Sequence, residues 1–348
     1  MKGELIDRYV LIRDERDASQ IYNKGYYGTP QSGGSLKLNL IEVALLLELD
    51  KIAVVRDGKA ITLPELVNLA TKIYPEFEIK YIVYRDLRQR GYIVKLSQVL
   101  DFEVFPRGGI PKKTASQFYV SAESERAKFS IEEIERKVGI AENEGKELLI
   151  AIVDEEGDLT YYTVSKAEPK GEIKGEEMLS GEAFLLEDRV MVWDKDLAEQ
   201  LQRLEFFGKL IGKGLQLSLV EATYLMEHGV LEVKDAKSNK KVSLRQFKSR
   251  ARRIQPDLSL RLKVYKDMKK KGMVVKTGFK YGTYFRVYEG DPDTCHSRYL
   301  VHAVPKGFEC TWPEISRAVR LAHGVRKEML FAKVNRKVKY IEMGRLRP

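Results

Sequence analysis

The chain has 348 residues, 43% of them hydrophobic and 32% charged, and its 61 Lys and Arg against 51 Asp and Glu leave a net charge of +10. That length predicts two or three domains with cores of their own, and the positive balance fits a polyanionic partner such as a nucleic acid. Two cysteines, Cys295 and Cys310, offer neither zinc spacing nor a disulfide framework, and apolar runs such as LIEVALLLEL are too short and too interrupted by Glu42 and Glu48 to span a bilayer. The start, MKGELIDRYV, lacks the apolar stretch of a secretion signal. A soluble, cytoplasmic protein without a membrane partner is expected.

Residues 1–35 open with a strand-like DRYVLIRD and a Gly/Tyr-rich turn, NKGYYGTPQSGG. LNLIEVALLLELDKI then carries the helical period with Asn39 near its cap. Residues 63–74 and YIVYRDLRQRG predict two more helices, the second closed by a turn at Gly91. YIVKLSQVLDFEVFPRGG switches to the shorter period of strands. FYVSA adds a strand, SIEEIERKVGIAENEG a helix, and ELLIAIVDEEGDLTYYTV a strand–turn–strand. KAEPKGEIKGEEMLSG, rich in Gly, Pro and charge, predicts a linker over 166–182.

Beyond the linker the chain repeats itself. YRDLRQRGYIVK (84–95) returns as YKDMKKKGMVVK (265–276), LKLNLIEVALLLE (36–48) as LQLSLVEATYLME (215–227), and VGIAENEGKELLIAIV (138–153) as VRLAHGVRKEMLFAKV (319–334). The offset stays near 180 residues, far longer than solenoid periods, and marks a duplicated domain. The expected fold is α/β, duplicated in tandem within one chain, each copy an α+β subdomain followed by a mixed-sheet α/β nuclease subdomain. Residues 1–165 form one copy and 183–348 the other. Within the second, 183–276 is read as helix-rich and 277–348 as the subdomain carrying chemistry.

The copies differ where chemistry would sit. Tyr288 faces Phe105 (FRVYE against FEVFP), His296 faces Ala115, and Lys327 faces Lys146. Losing a phenol hydroxyl and an imidazole preserves packing and removes proton transfer, so the first copy reads as structural and the second as catalytic. In TGFKYGTYFRVYEGDPDTCHSRYLVHAV (277–304), Tyr288 ends one strand and His296 begins the next, across the turn-rich EGDPDT. PEISRAVRLAHGVRKEMLFA starts a helix with Pro313 in its first turn and brings Lys327 to the start of a strand. No GxxxxGK[ST], HExxH or GxSxG motif is present.

A tyrosine, a histidine and a lysine suit internal transesterification of RNA. A base must take the 2′-hydroxyl proton, an acid must protonate the leaving 5′-oxygen, and a cation must meet the charge gathering on the phosphorus oxygens. An imidazole, titrating at about 6.5, donates protons near neutrality; a phenol, at about 10, needs cations nearby to act as a base. Lys327 and Arg326 are candidates for that field. The plainer readings are a packed strand-end tyrosine, a turn histidine and a solvated lysine. His302 and His323 read as packing or surface residues, and His228 as a helix C-terminus stopped by Gly229. Two rival functions remain open at this stage: an RNA-binding or assembly protein without catalysis, and a metal-dependent DNA nuclease using the carboxylates of Glu289, Asp291 and Asp293.

The run FRVYE…HSRYLVH…W-PEISRAVRLAHGVRKEMLFA…YIEMGRLRP, with NKGYYGTP near residue 23, resembles the archaeal tRNA-splicing endonucleases, and the pairing of a degenerate with a complete copy resembles their homodimeric class. The resemblance implies cleavage of precursor tRNA at both splice sites of a bulge-helix-bulge, with no cofactor or divalent metal and no DNA substrate. It implies Tyr288 as base, His296 as acid and Lys327 as charge stabiliser, and cyclic-phosphate and 5′-hydroxyl ends. Two arginines that sandwich a flipped bulge base fall on Arg320 and Arg345. Four acids in one hairpin turn, Asp154, Glu155, Glu156 and Asp158, read locally as a solvated turn; the resemblance makes them the loop that enters a basic pocket on the other subunit of a homodimer. The EGDPDT loop is a residue or two shorter than the family pattern.

Overall fold

The computed structural model describes residues 1–175 and 177–348. It forms two units. One comprises Met1–Lys128, Arg136–Val164 and Arg345–Pro348, the other Phe129–Glu135 and Ser165–Gly344. Its helices are α1 (Glu15–Gly25), α2 (Leu40–Glu48), α3 (Leu63–Ile73), α4 (Phe77–Gln89), α5 (Ile131–Asn143), α6 (Lys195–Glu205), α7 (Leu219–Glu227), α8 (Leu244–Ile254), α9 (Leu258–Lys270) and α10 (Trp312–Gly324).

The fold is the expected duplicated α/β arrangement, with one difference of content. The first part of each copy carries a sheet as well as helices. Six short strands in the first copy run in the order 29–30, 36–39, 9–12, 2–6, 53–56 and 59–61, and five in the second in the order 209–211, 214–217, 190–192, 181–185 and 231–235. Tyr9–Ile12 falls within the strand-like DRYVLIRD, but others, such as Ala53–Arg56 with one buried residue in four, are too short for a two-residue period to stand out in sequence. Helices α1 and α6 also lie where no helix was expected. In α1 only Ala18 and Ile21 are buried, so its apolar stripe is nearly blank; the Asp14 side chain capping the Asp17 amide at 2.9 Å marks its start.

The later part of each copy is five strands. In the second copy they run Val274–Thr277, Phe285–Tyr288, Tyr299–Pro305, Glu328–Val334 and Val338–Leu346, and in the first Ile93–Leu96, Phe102–Phe105, Phe118–Ser124, Glu147–Val153 and Leu159–Ala167. Only the third and fourth strands are parallel. Parallel neighbours need a crossover, supplied by α10 between Tyr299–Pro305 and Glu328–Val334. Trp312, at the head of α10, is buried edge-on against Phe129, which also meets Phe308 and Phe331. Burying each such aromatic contributes about 2–3 kcal/mol. These contacts hold Phe129–Glu135 in the second unit, where Glu135 also pairs with Lys333 and Lys339.

Within each copy a half-buried lysine joins the two parts. Lys276 donates to the carbonyls of Phe206 and Gly208, and Lys95 does the same for Tyr26 and Gly28. Gly208 needs to be glycine: its φ is +56° and a Cβ would stand 2.3 Å from the Gln216 carbonyl. Glu221 meets the Gly208 amide at 2.8 Å while boxing the α7 cap at Ser218. His228 caps the end of α7 before Gly229 at φ +73°, as its sequence context predicts. The passage between the copies is not free-running. Gly171 and Ile173 donate to the carbonyls of Lys271 and Gly272 at 2.8 and 3.0 Å, and the Glu172 amide donates to the Glu289 carbonyl at 2.7 Å.

Candidate active site

The topology explains how three distant residues reach one rim. Because Tyr299–Pro305 and Glu328–Val334 are parallel and Tyr299 pairs with Glu328, both strands begin at the same edge of the sheet. Residues just before each strand, His296 to Arg298 and Lys327, therefore emerge together. The strand Phe285–Tyr288 runs antiparallel to Tyr299–Pro305 with Val287 opposite Tyr299, so its last residue, Tyr288, ends at that edge too. The Lys327 ammonium donates to the Ser297 carbonyl at 2.7 Å, tying the lysine to the residue beside His296.

Tyr288 is 7% exposed and His296 is exposed. Between them, Asp291 sets the loop: its carboxylate accepts the Asp293 amide at 2.8 Å and its carbonyl accepts the Cys295 amide at 2.9 Å. Of the carboxylates weighed for a metal nuclease, Glu289 is bonded by Arg298 at 2.7 Å, and Arg298 also holds Glu328 at 2.9 Å. Asp291 is committed to its turn. Among the described residues no three His, Cys, Asp or Glu side chains gather in metal-ligand geometry.

Three further residues escaped the sequence reading. The guanidinium of Arg286 lies 5.8 Å from the Tyr288 ring, and its Nε is buried without a hydrogen-bond partner among the described residues. Tyr281 sits on the single turn Phe279–Tyr281; a hydrogen bond from Lys280, backed by the charges of Lys327 and Arg286, holds its phenol below the ordinary value. Phe279 on the same turn is 88% exposed. The signal was there in part: FKYGTY has no aromatic match in the SQVLD of the first copy, and Arg286 stands where that copy has Glu103.

Tyr288, Arg286 and Phe279 line a cleft of about 1570 Å³ that reaches back to Arg189, Gln216 and Ile254. The corresponding hollow of the first copy measures about 530 Å³. There Tyr74 crosses the space, its hydroxyl donating to the Arg8 carbonyl at 3.0 Å and lying 3.4 Å from Asn39 Nδ2. Gln255 and Ser218 replace that pair in the second copy.

Arg320 is exposed on α10, opposite the face that buries Ile315, Val319 and Ala322. Arg345 is half-buried in the strand Val338–Leu346 and belongs with the terminal residues to the first unit, where the Pro348 carbonyl accepts from Arg90 at 3.0 Å. All four acids of the hairpin turn are exposed, but they are not equivalent. Asp154 accepts the amides of Glu156 and Asp158, and Glu155 pairs with Arg126 at 2.6 Å. The carboxylates of Glu156 and Asp158 are exposed and have no partner among the described residues. His302 is packed, as read, stacking on Phe331 at 6.0 Å, and burial lowers its proton affinity; His323 is exposed at the end of α10.

The domain family described as tRNA intron endonuclease, catalytic C-terminal domain, matches residues 77–161 and 258–340, and its N-terminal domain partner matches 1–67 and 181–248. The chain is 42% identical to the tRNA-splicing endonuclease of Methanococcoides burtonii over the full length of both proteins. It is 41% identical to that of Methanosarcina mazei, covering all of this chain and 99% of that protein, and 32% identical to that of Halobacterium salinarum, covering 92% and 93%. The chain belongs to the tRNA intron endonuclease family and carries both of its domains twice. No helix among the described residues is long and apolar enough to cross a membrane.

Proposed function

We propose that this protein cuts precursor tRNA at both intron boundaries within a bulge-helix-bulge, by attack of a ribose 2′-hydroxyl on its own 3′-phosphate without a metal in the chemistry. The observation that carries the reading is the convergence of Tyr288, His296 and Lys327 on one sheet edge, with Lys327 fixed beside His296 through the Ser297 carbonyl. Tyr288 takes the 2′-hydroxyl proton. The 2′-oxygen bonds to phosphorus, the bond to the 5′-oxygen breaks, and His296 delivers the proton that this oxygen needs. Lys327 meets the negative charge that gathers on the non-bridging oxygens, where a preset cation acts most strongly. The products are a 2′,3′-cyclic phosphate and a 5′-hydroxyl.

Arg320 and Arg345 are assigned to stacking on a flipped bulge base, which guanidinium planes do without regard to base identity. Two splice sites and one complete rim per chain fit a two-fold homodimer. Its contact includes the acidic turn, with Glu156 and Asp158 as the residues free to meet a basic partner and Asp154 shaping the turn. The test is cleavage of an end-labelled bulge-helix-bulge RNA in EDTA, beside the His296→Ala variant. Two cuts with cyclic-phosphate and 5′-hydroxyl ends, absent from the variant, are expected. Wild-type protein that dimerises and binds the RNA yet leaves it whole would sink the proposal in favour of a noncatalytic binder, and activity restricted to added divalent metal would favour the metal-dependent alternative.

A further inference from the structure

Helix α8 and its counterpart α3 have the same frame and opposite surfaces. Both bury two residues four apart, Leu66 and Ala70 in α3, Phe247 and Ala251 in α8. Both begin with a capping box, but α3 closes it with Glu65 and α8 with Gln246, which gives the same hydrogen bonds without the charge. The remaining positions diverge. Helix α3 carries one base, Lys72; α8 carries Arg245, Lys248, Arg250, Arg252 and Arg253 and no acid. Lys248 and Arg250 are used by Glu227 and Asp235, at 2.5 and 2.6 Å. Arg245, Arg252 and Arg253 are exposed and have no carboxylate partner among the described residues. Arg245 sits in the first turn, where the helix dipole disfavours a cation, so local stability does not account for it.

The chain leaving α8 leads to the reaction rim. Ile254, Gln255 and Pro256, which end and follow the helix, line the same cleft as Tyr288. Phe279 stands exposed in the wall of this cleft, a large apolar face with no protein to cover it, and bases of every identity stack on such a face. We infer that α8 is a docking surface for the sugar–phosphate backbone of the RNA substrate outside the scissile bond, and that the cleft leads the strand past Phe279 to Tyr288. The inference rests on the RNA-cleaving reading above. Three unpaired cations on one helix match phosphates, and the neutralised capping box keeps repulsion away from them.

The test measures binding of a bulge-helix-bulge RNA with flanking helices by fluorescence anisotropy, over a series of salt concentrations, in the cleavage-dead His296→Ala background. Replacing Arg245, Arg252 and Arg253 together by Ala is expected to weaken binding roughly tenfold or more and to lower the slope of log K against log salt by about two to three, one for each lost phosphate contact. A matched variant in which the exposed Lys51, Lys59 and Lys72 of the first copy become Ala removes the same charge elsewhere and should change neither. Phe279→Ala should weaken binding roughly tenfold with the salt slope kept, because stacking releases no counterions. If the α8 variant, with unchanged circular dichroism, binds like its parent, or if the matched variant is equally impaired, α8 is not the docking surface. Full affinity in Phe279→Ala would remove the cleft from the path. Failure of the His296-intact protein to cut the RNA is a separate result and refutes the parent reading alone.

Discussion

The rims of the two copies hold a lysine in the same place and use it in opposite ways. Lys146 lies 4.0 Å above the Tyr119 ring and is bonded to Glu144 and Glu103 at 3.0 and 3.4 Å. Burial opposes its charge, but hydrogen bonds with Tyr119 and Glu144 and the charge of Glu103 outweigh this and raise its proton affinity. Across the register, Glu103 becomes Arg286, while Glu144 and Tyr119 give way to Val325 and Leu300. Among the described residues Lys327 is left with the Ser297 carbonyl for a partner. The first copy has therefore not merely lost a phenol and an imidazole. Its lysine has become a structural cation, satisfied by acids that a phosphate would have to displace.

The sharpest way to break this comparison is to delete each lysine. Lys327→Ala is expected to slow single-turnover cleavage about 10²–10³-fold, as loss of one preset charge stabiliser does. Lys146→Ala should leave the rate alone and lower stability by about 1 kcal/mol, read from the urea midpoint, since its pairs are partly solvated. Equal rate losses in both would contradict the division of labour. Next, Arg286→Glu imports the acid of the first copy and should slow cleavage about 10–100-fold by capturing Lys327, with Arg286→Gln losing less. Restoring the first copy with Phe105→Tyr and Ala115→His, in the His296→Ala background, is expected to give no cleavage while Lys146 stays bound; cuts from that variant would show that the acids do not matter.

The smallest effect concerns stability. Arg250 of α8 bonds Asp235, where α3 has the apolar Leu69. The Ser238 amide first, then Arg250, lowers the Asp235 carboxyl from 3.8 to about 2. A carboxylate with a depressed folded-state value stabilises the fold fully above its unfolded value and loses that contribution as pH falls through the folded one. The difference in urea midpoint between wild type and Asp235→Asn should therefore be constant above about pH 4 and close as the pH approaches about 2. A gap that stays open would mean the pair acts through packing alone.

The sequence disclosed the duplication because paired segments such as YRDLRQRGYIVK and YKDMKKKGMVVK preserve spacing as well as type. It singled out Tyr288, His296 and Lys327 as candidates because a degenerate copy lay alongside for contrast. Apart from the strand in DRYVLIRD, it did not disclose α1, α6 or the short strands, whose buried residues are too few to make a period. The cleft was illegible for another reason: what opens it is the absence of Tyr74's crossing phenol, a loss that acquires meaning only once Gln255 and Ser218 are seen to leave the space unfilled.

The segment Gly171–Ile173 carries a consequence for how the chain can evolve. A Cβ on Gly171 would stand 2.1 Å from the Gly272 carbonyl, and Glu172 grips Glu289, the residue after Tyr288. A spacer joining two ancestral copies would be free to drift in length and composition. This one is stitched to the strand end that holds Tyr288, the proposed base, so on that proposal insertions here would disturb the reaction rim, and variation should collect further along, after Ile173. What began as the seam of a gene duplication has become part of the enzyme's working anatomy.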